Sequence, residues 1–246
     1  MQGVFTKSIV ALAALVAPTI ASAGLIDYTA VIQVMNGSTS LGYVQTDPNY
    51  WTPQLTADSA SALQIAFTLN GTTGSAVNLA PSPNTQGFTY FGATQGRDST
   101  SDDIASGSVN YLYFESGSTT AASATPQHGG NYFTTSTSVD KANETAIWDI
   151  GISGTTGTLA PQWVNTNGST PATVTFVQSN HLYGGGDASA FFAAFPAPVT
   201  SVTLQLQILS AVPEVTAAPE PASWATLALG LVGLGAGALS RRRSRA

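Results

Sequence analysis

The chain of 246 residues contains no cysteine. A disulfide framework, a cysteine nucleophile and a thiolate metal site are excluded at once. Charge is also scarce: Asp, Glu, Lys and Arg make up 8% of the residues, and only seven are basic. Five of the seven sit at the ends, Lys7 near the start and Arg241, Arg242, Arg243 and Arg245 in the last six positions. Between them, Arg97 and Lys141 stand against twelve acids, a net charge near −10 for residues 24–218. No nucleic-acid partner fits such a surface, because a phosphate backbone is held through clustered Lys and Arg. There are two histidines, His128 and His181, in different loops. Without a third nearby ligand they make a poor zinc site. No G-x-S-x-G is present, and the glycine run Gly184–Asp187 has no following Lys. That run reads as a flexible loop rather than a phosphate cradle. A fixed-period repeat is also missing, which argues against a solenoid or a propeller.

Both ends read as targeting segments. Lys7 supplies a positive start, Ile9 to Val16 is apolar, Pro18 breaks the helix, and Ala21-Ser22-Ala23 forms an A-x-A cleavage site. Residues 1–23 are therefore expected to be a signal helix cut after Ala23, handled by the Sec translocon and signal peptidase. At the other end, Ala222 to Leu239 carry no charge. As a helix this run would be roughly 27 Å long, at the short limit for a bilayer span. Trp224 stands where an interfacial aromatic belongs, and Arg241, Arg242, Arg243 and Arg245 form a stop-transfer cluster that stays cytoplasmic. The expected organisation is a signal peptide at 1–23, a domain at 24–212 and a linker at 213–221. A transmembrane helix at 222–240 and a basic tail at 241–246 complete it.

Pro219-Glu220-Pro221, then Ala222-Ser223-Trp224, the apolar run and the terminal arginines occur in that order. This tail resembles the PEP-CTERM sorting signal of Gram-negative bacteria. The resemblance implies export, a transient hold in the inner membrane, and cutting near Pro219-Glu220-Pro221 by an exosortase. Release to the cell surface or the extracellular matrix would follow. The same tail pattern is also catalogued as the C-terminal region of ice-binding proteins, a label silent about the domain before it. The resemblance is confined to residues 219–246, and residues 24–212 carry no family pattern.

The domain itself alternates. Tyr28–Met35, Leu63–Leu69, Phe88–Phe91, Val109–Glu115, Ala146–Ile152, Thr173–Gln178 and Val199–Leu209 have strand-like stretches between Gly, Ser and Asn turns. In Leu63–Leu69, the residues Leu63, Ile65, Phe67 and Leu69 share one face. Helical period is confined to Pro53–Ala62 and Ala188–Phe195. The expected fold is all-β, an antiparallel β-sandwich or jelly roll.

Candidate chemistry is thin. Asp98, Asp102 and Asp103 lie in an oxygen-rich loop suited to calcium, without the glycine and distal glutamate of an EF-hand. Glu115 and Glu144 are carboxylates with nothing to pair them as a glycosidase would require. Trp148 sits within an apolar strand and is expected in the core. Trp51 and Trp163 flank prolines in loops and are the candidates for stacking on a sugar, the alternative being that they cap the core. The Thr/Ser run Phe133–Ser138, if a strand, is too short for an ice-binding array. The function expected is a non-enzymatic matrix protein that meets exopolysaccharide. The alternative is a secreted hydrolase acting on polysaccharide or esters.

Overall fold

The computed structural model describes residues 24–214. The signal segment with Ala21 and Ala23, the motif Pro219-Glu220-Pro221, the apolar run and the arginine cluster lie outside the described residues. No helix among the described residues is long and apolar enough to cross a membrane.

The chain runs β1 (Leu25–Asn36), β2 (Thr39–Gln45), β3 (Gln54–Thr56), β4 (Gln64–Asn70), β5 (Thr73–Val77), β6 (Ala80–Ser82), β7 (Tyr90–Gln95) and β8 (Tyr111–Gly117). It continues through β9 (Gln127–His128), α1 (Tyr132–Thr137), β10 (Ala142–Glu144), β11 (Trp148–Ser153) and β12 (Thr156–Pro161). It ends with β13 (Val174–Gln178), β14 (His181–Gly185), α2 (Ala188–Ala194) and β15 (Val199–Pro213). Every strand pairing is antiparallel. All seven expected strand regions contain a strand, and Ala188–Phe195 holds α2 as expected.

Two long strands organise the sheet. At about 3.3 Å per residue, β1 and β15 extend roughly 40 and 50 Å, enough for one edge to serve two neighbours in turn. One edge of β1 pairs with β4 through Leu25–Val31 and with β2 through Gln33–Asn36. One edge of β15 pairs with β13 through Val199–Val202 and with β12 through Leu204–Gln207. The pairings β15–β1–β2–β3–β14–β13–β15 therefore close a circuit. Two arms leave it. One holds β4 and β6 beside β1, and β12, β11 and β5 beside β15; the other runs β14–β8–β7–β10–β9. The turn at Asn70-Gly71 is real, but β5 pairs with β11 rather than folding back on β4.

The two arms enclose one core. The Trp148 ring of β11 stacks on Phe91 of β7 with centroids 5.8 Å apart, and its indole N–H donates to the Phe91 carbonyl at 2.8 Å. The alternation in β4 is strict, with Ile65, Phe67 and Leu69 buried and the residues between them exposed. By contrast, β8 is buried along its whole length. Leu112 and Phe114 enter the main core, while Tyr111 and Tyr113 enter a second aromatic cluster with Phe133 of α1 and Phe191 of α2. Of the short helices, α1 packs against β8 and α2 against β13 and β15.

Two sequence expectations change here. Phe133–Ser138 is not a strand: Tyr132–Thr137 is helix, capped by Asn131, whose side chain accepts from the Thr134 amide at 2.7 Å. Its Thr and Ser residues therefore do not line up in a row. Gly184–Gly186 is not a flexible loop: Gly184 and Gly185 belong to β14, and a Cβ on Gly186 would meet the Ala105 backbone at 2.4–2.5 Å. Glycine is used there for close packing. Asp187 then caps α2, accepting from the Ser189 and Ala190 amides at 2.8 and 3.0 Å.

Candidate functional site

On a strand, alternate side chains face opposite ways. Because Leu112 and Phe114 fill the core, Tyr111, Tyr113 and Glu115 of β8 must face outward, beneath the segments that cross that face. The loop between β2 and β3 crosses there and carries Tyr50 and Trp51. It is pinned by Thr52, which is buried, donates to the Leu182 carbonyl and accepts from the Phe114 amide at 3.2 Å. Trp51 is half-buried beside it. Its indole N–H donates to Ser136 of α1 at 3.0 Å, and Phe133 meets the ring edge-on at 5.1 Å. Tyr50 is exposed, 5.6 Å from Trp51 and 4.5 Å from the His181 ring between centroids.

Polar groups frame this aromatic pair. His181 Nε2 lies 3.1 Å from Asp47. The Asn49 amide, and secondarily His181, hold the Asp47 carboxyl below the usual carboxylate range. On the other side the Arg97 guanidinium sits 5.8 Å above the Trp51 ring centre, within cation–π range. Its Nε lies 3.4 Å from Asp98, and Asp98 accepts from the Tyr111 hydroxyl at 3.2 Å. The Tyr111 and Tyr113 hydroxyls are 3.1 Å apart. Since Tyr111 donates to Asp98, Tyr113 donates to Tyr111. Burial raises both phenols above their ordinary value, so they remain neutral donors.

The expected metal carboxylates do not converge. Asp98 faces Arg97 and Tyr111. Asp102 lies 2.9 Å from His128 Nε2. Asp103 accepts from the Thr166 amide at 2.6 Å and from its hydroxyl at 3.2 Å. Among the described residues no group of three His, Asp or Glu side chains is arranged to hold a metal ion. The three carboxylates thus each meet a different partner.

Trp163 is a correction. It is fully buried, its indole N–H donates to the Asp102 carbonyl at 2.8 Å, and it belongs to the main core. Neighbouring Pro161 does not hold it at the surface, because it ends β12 and Trp163 turns inward from there.

The two glutamates lie close in the sheet but point apart. Glu115 is paired with Gly92 of β7, and Glu144 with Ala93, the next residue. Their side chains therefore project from opposite faces. Each is buried, and burial pushes each carboxyl up to about 8. Glu115 accepts from the Phe133 amide at 3.0 Å and its other oxygen has no hydrogen-bond partner among the described residues; Glu144 accepts from the Val164 amide at 3.0 Å. With both neutral at neutral pH, ten carboxylates of residues 24–214 face Arg97 and Lys141.

Some of this framing was open to sequence reading. The order Tyr111-Leu112-Tyr113-Phe114-Glu115 places two tyrosines and a glutamate on one face by alternation alone. The pairs His181–Asp47 and His128–Asp102 left no local signal, since they join residues 134 and 26 positions apart. His128 also meets Asp140 at 3.1 Å, so it bridges the loop after β7 and the turn after α1. Compared with known proteins, the chain matches no family model, no curated protein and no solved structure.

Proposed function

We propose that the chain is an exported, non-enzymatic surface or matrix protein whose β domain binds a glycan at Tyr50 and Trp51. The observation that carries the reading is this aromatic pair, fixed at the surface by Thr52 and Ser136 and framed by Asp47–His181 and Arg97–Asp98. Flat apolar rings suit the C–H face of a pyranose, and the two flanking side-chain pairs supply hydrogen-bonding groups at its rim. The architecture we propose is a β-sandwich or jelly roll, supported by two arms, one beside β1 and β15 and the other leaving β14, that enclose one core.

The proposed route follows from the tail. Signal peptidase removes residues 1–23, the run 222–240 holds the chain in the inner membrane, and an exosortase cuts near Pro219-Glu220-Pro221. The product joins the exopolysaccharide matrix. Intact mass of the protein recovered outside the producing cell tests the route: a mass that still contains residues 222–246 refutes it. Replacing Pro219, Glu220 and Pro221 with alanine is expected to leave uncut chain in the membrane fraction. Affinity electrophoresis in exopolysaccharide gels tests the site. Trp51→Ala and Tyr50→Ala are each expected to abolish the retardation of the wild type, and unchanged mobility in both refutes the glycan reading.

A further inference from the structure

A domain with two bases has placed one of them over its exposed aromatic pair. The two are spent differently. The Lys141 ammonium donates to the Ser99 carbonyl at 2.7 Å, tying down the loop after β7. Arg97 keeps an exposed side chain and uses one of its five N–H donors, at Nε, on Asp98. No protein acceptor is bonded to either terminal nitrogen among the described residues, and the guanidinium carbon lies 5.8 Å from the Trp51 ring centre. The orientation is fixed from below. Tyr113 donates to Tyr111, Tyr111 to Asp98, and Asp98 engages Nε, so the outer edge of the guanidinium is left for a ligand. A planar fork held in this way matches a carboxylate, which accepts two parallel N–H bonds.

We propose that Arg97 is a specificity residue for an acidic glycan: a uronate carboxylate binds the free edge of the guanidinium while its ring, or the next one, packs on Trp51 and Tyr50. This rests on the glycan-binding reading of the aromatic pair and adds the ligand class. The excess of carboxylates elsewhere on the domain works against a polyanion at long range. Recognition must then come from this one local fork, and removing it must remove the preference for acid.

The test uses the full-length chain in detergent at physiological ionic strength. Two probes share one backbone: polygalacturonate and its fully methyl-esterified form, which lacks the charge. Wild type is expected to bind the acid form at least tenfold more tightly than the ester. Arg97→Ala and Arg97→Lys are expected to reduce that ratio to near one, with affinity for the acid form falling much further than affinity for the ester. The lysine variant keeps the charge and loses the fork, so it separates bidentate recognition from charge alone. Trp51→Ala is expected to weaken both probes equally. Wild type binding both forms equally overturns the carboxylate inference and leaves the glycan site standing. Retention of the preference in Arg97→Ala overturns it as well. Failure of wild type to bind either form overturns the glycan reading and this inference with it. A melting temperature for each variant equal to that of wild type shows that an observed loss is not unfolding.

Discussion

Glu115 offers a direct test of how the outer layer of the domain is built. Its carboxyl is buried beneath α1 and pushed up to about 8 from an ordinary 4.5. A folded-state value above the unfolded one means that folding favours the protonated form. The associated stability is fully present below the unfolded value and is lost as pH rises through the folded one. At about 1.36 kcal/mol per pH unit, the preference of Glu115 to ionise in the unfolded chain costs about 3 kcal/mol by pH 7 and about 4 kcal/mol by pH 8. Such a loss is a large part of a typical domain stability of about 5–15 kcal/mol. Glu144, also pushed up to about 8, adds a second contribution of the same sign. Glu115→Gln keeps an oxygen for the Phe133 amide and removes the titration, but it buries an amide without a matched acceptor, at a cost of about 1–3 kcal/mol. Urea unfolding of the full-length chain at pH 5, 6, 7 and 8 is expected to show wild-type stability falling across the series. The variant is expected to be less stable than wild type at pH 5, more stable at pH 8, and to lose about half the slope. The Glu115→Gln, Glu144→Gln double variant is expected to lose most of what remains. A wild-type curve flat from pH 5 to 8, or a single variant falling as steeply as wild type, refutes the reasoning.

Gly186→Ala is expected to destabilise the domain by about 1–3 kcal/mol or more, because the added Cβ meets Ala105 backbone atoms that have no freedom to yield; an unchanged urea midpoint counts against the close approach. Millimolar Ca²⁺ is expected to leave the melting temperature unchanged, since Asp98, Asp102 and Asp103 engage separate partners; a rise abolished in an Asp102→Asn, Asp103→Asn variant restores the calcium site, because binding to the native state raises stability by mass action.

What the sequence determined by itself was local. Alternation in Leu63–Leu69 assigns the inward face of β4, and the apolar setting of Trp148 assigns it to the core, because both depend only on neighbours along one strand. The all-β, antiparallel class follows from many such segments separated by turn residues. The tail motif is equally local, being a contiguous order of residue types. Trp163 and Trp51 look alike in sequence, each near a proline in a loop, yet one is fully buried and the other half-exposed. What separates them is the segment that arrives on top: the Asp102 carbonyl from the loop after β7 for Trp163, and Arg97 with one end of α1 for Trp51. Phe133–Ser138 alternates like a strand, but Asn131 caps a helix there and Phe133 drops into the second aromatic cluster. Nothing in the sequence pairs Glu115 with Glu144, and β7 supplies the reason by setting them on opposite faces through adjacent register positions. Periodicity reports which way a side chain points relative to its own strand, whereas the candidate site is made where loops distant in sequence meet above a sheet, and only tertiary pairing brings those loops together.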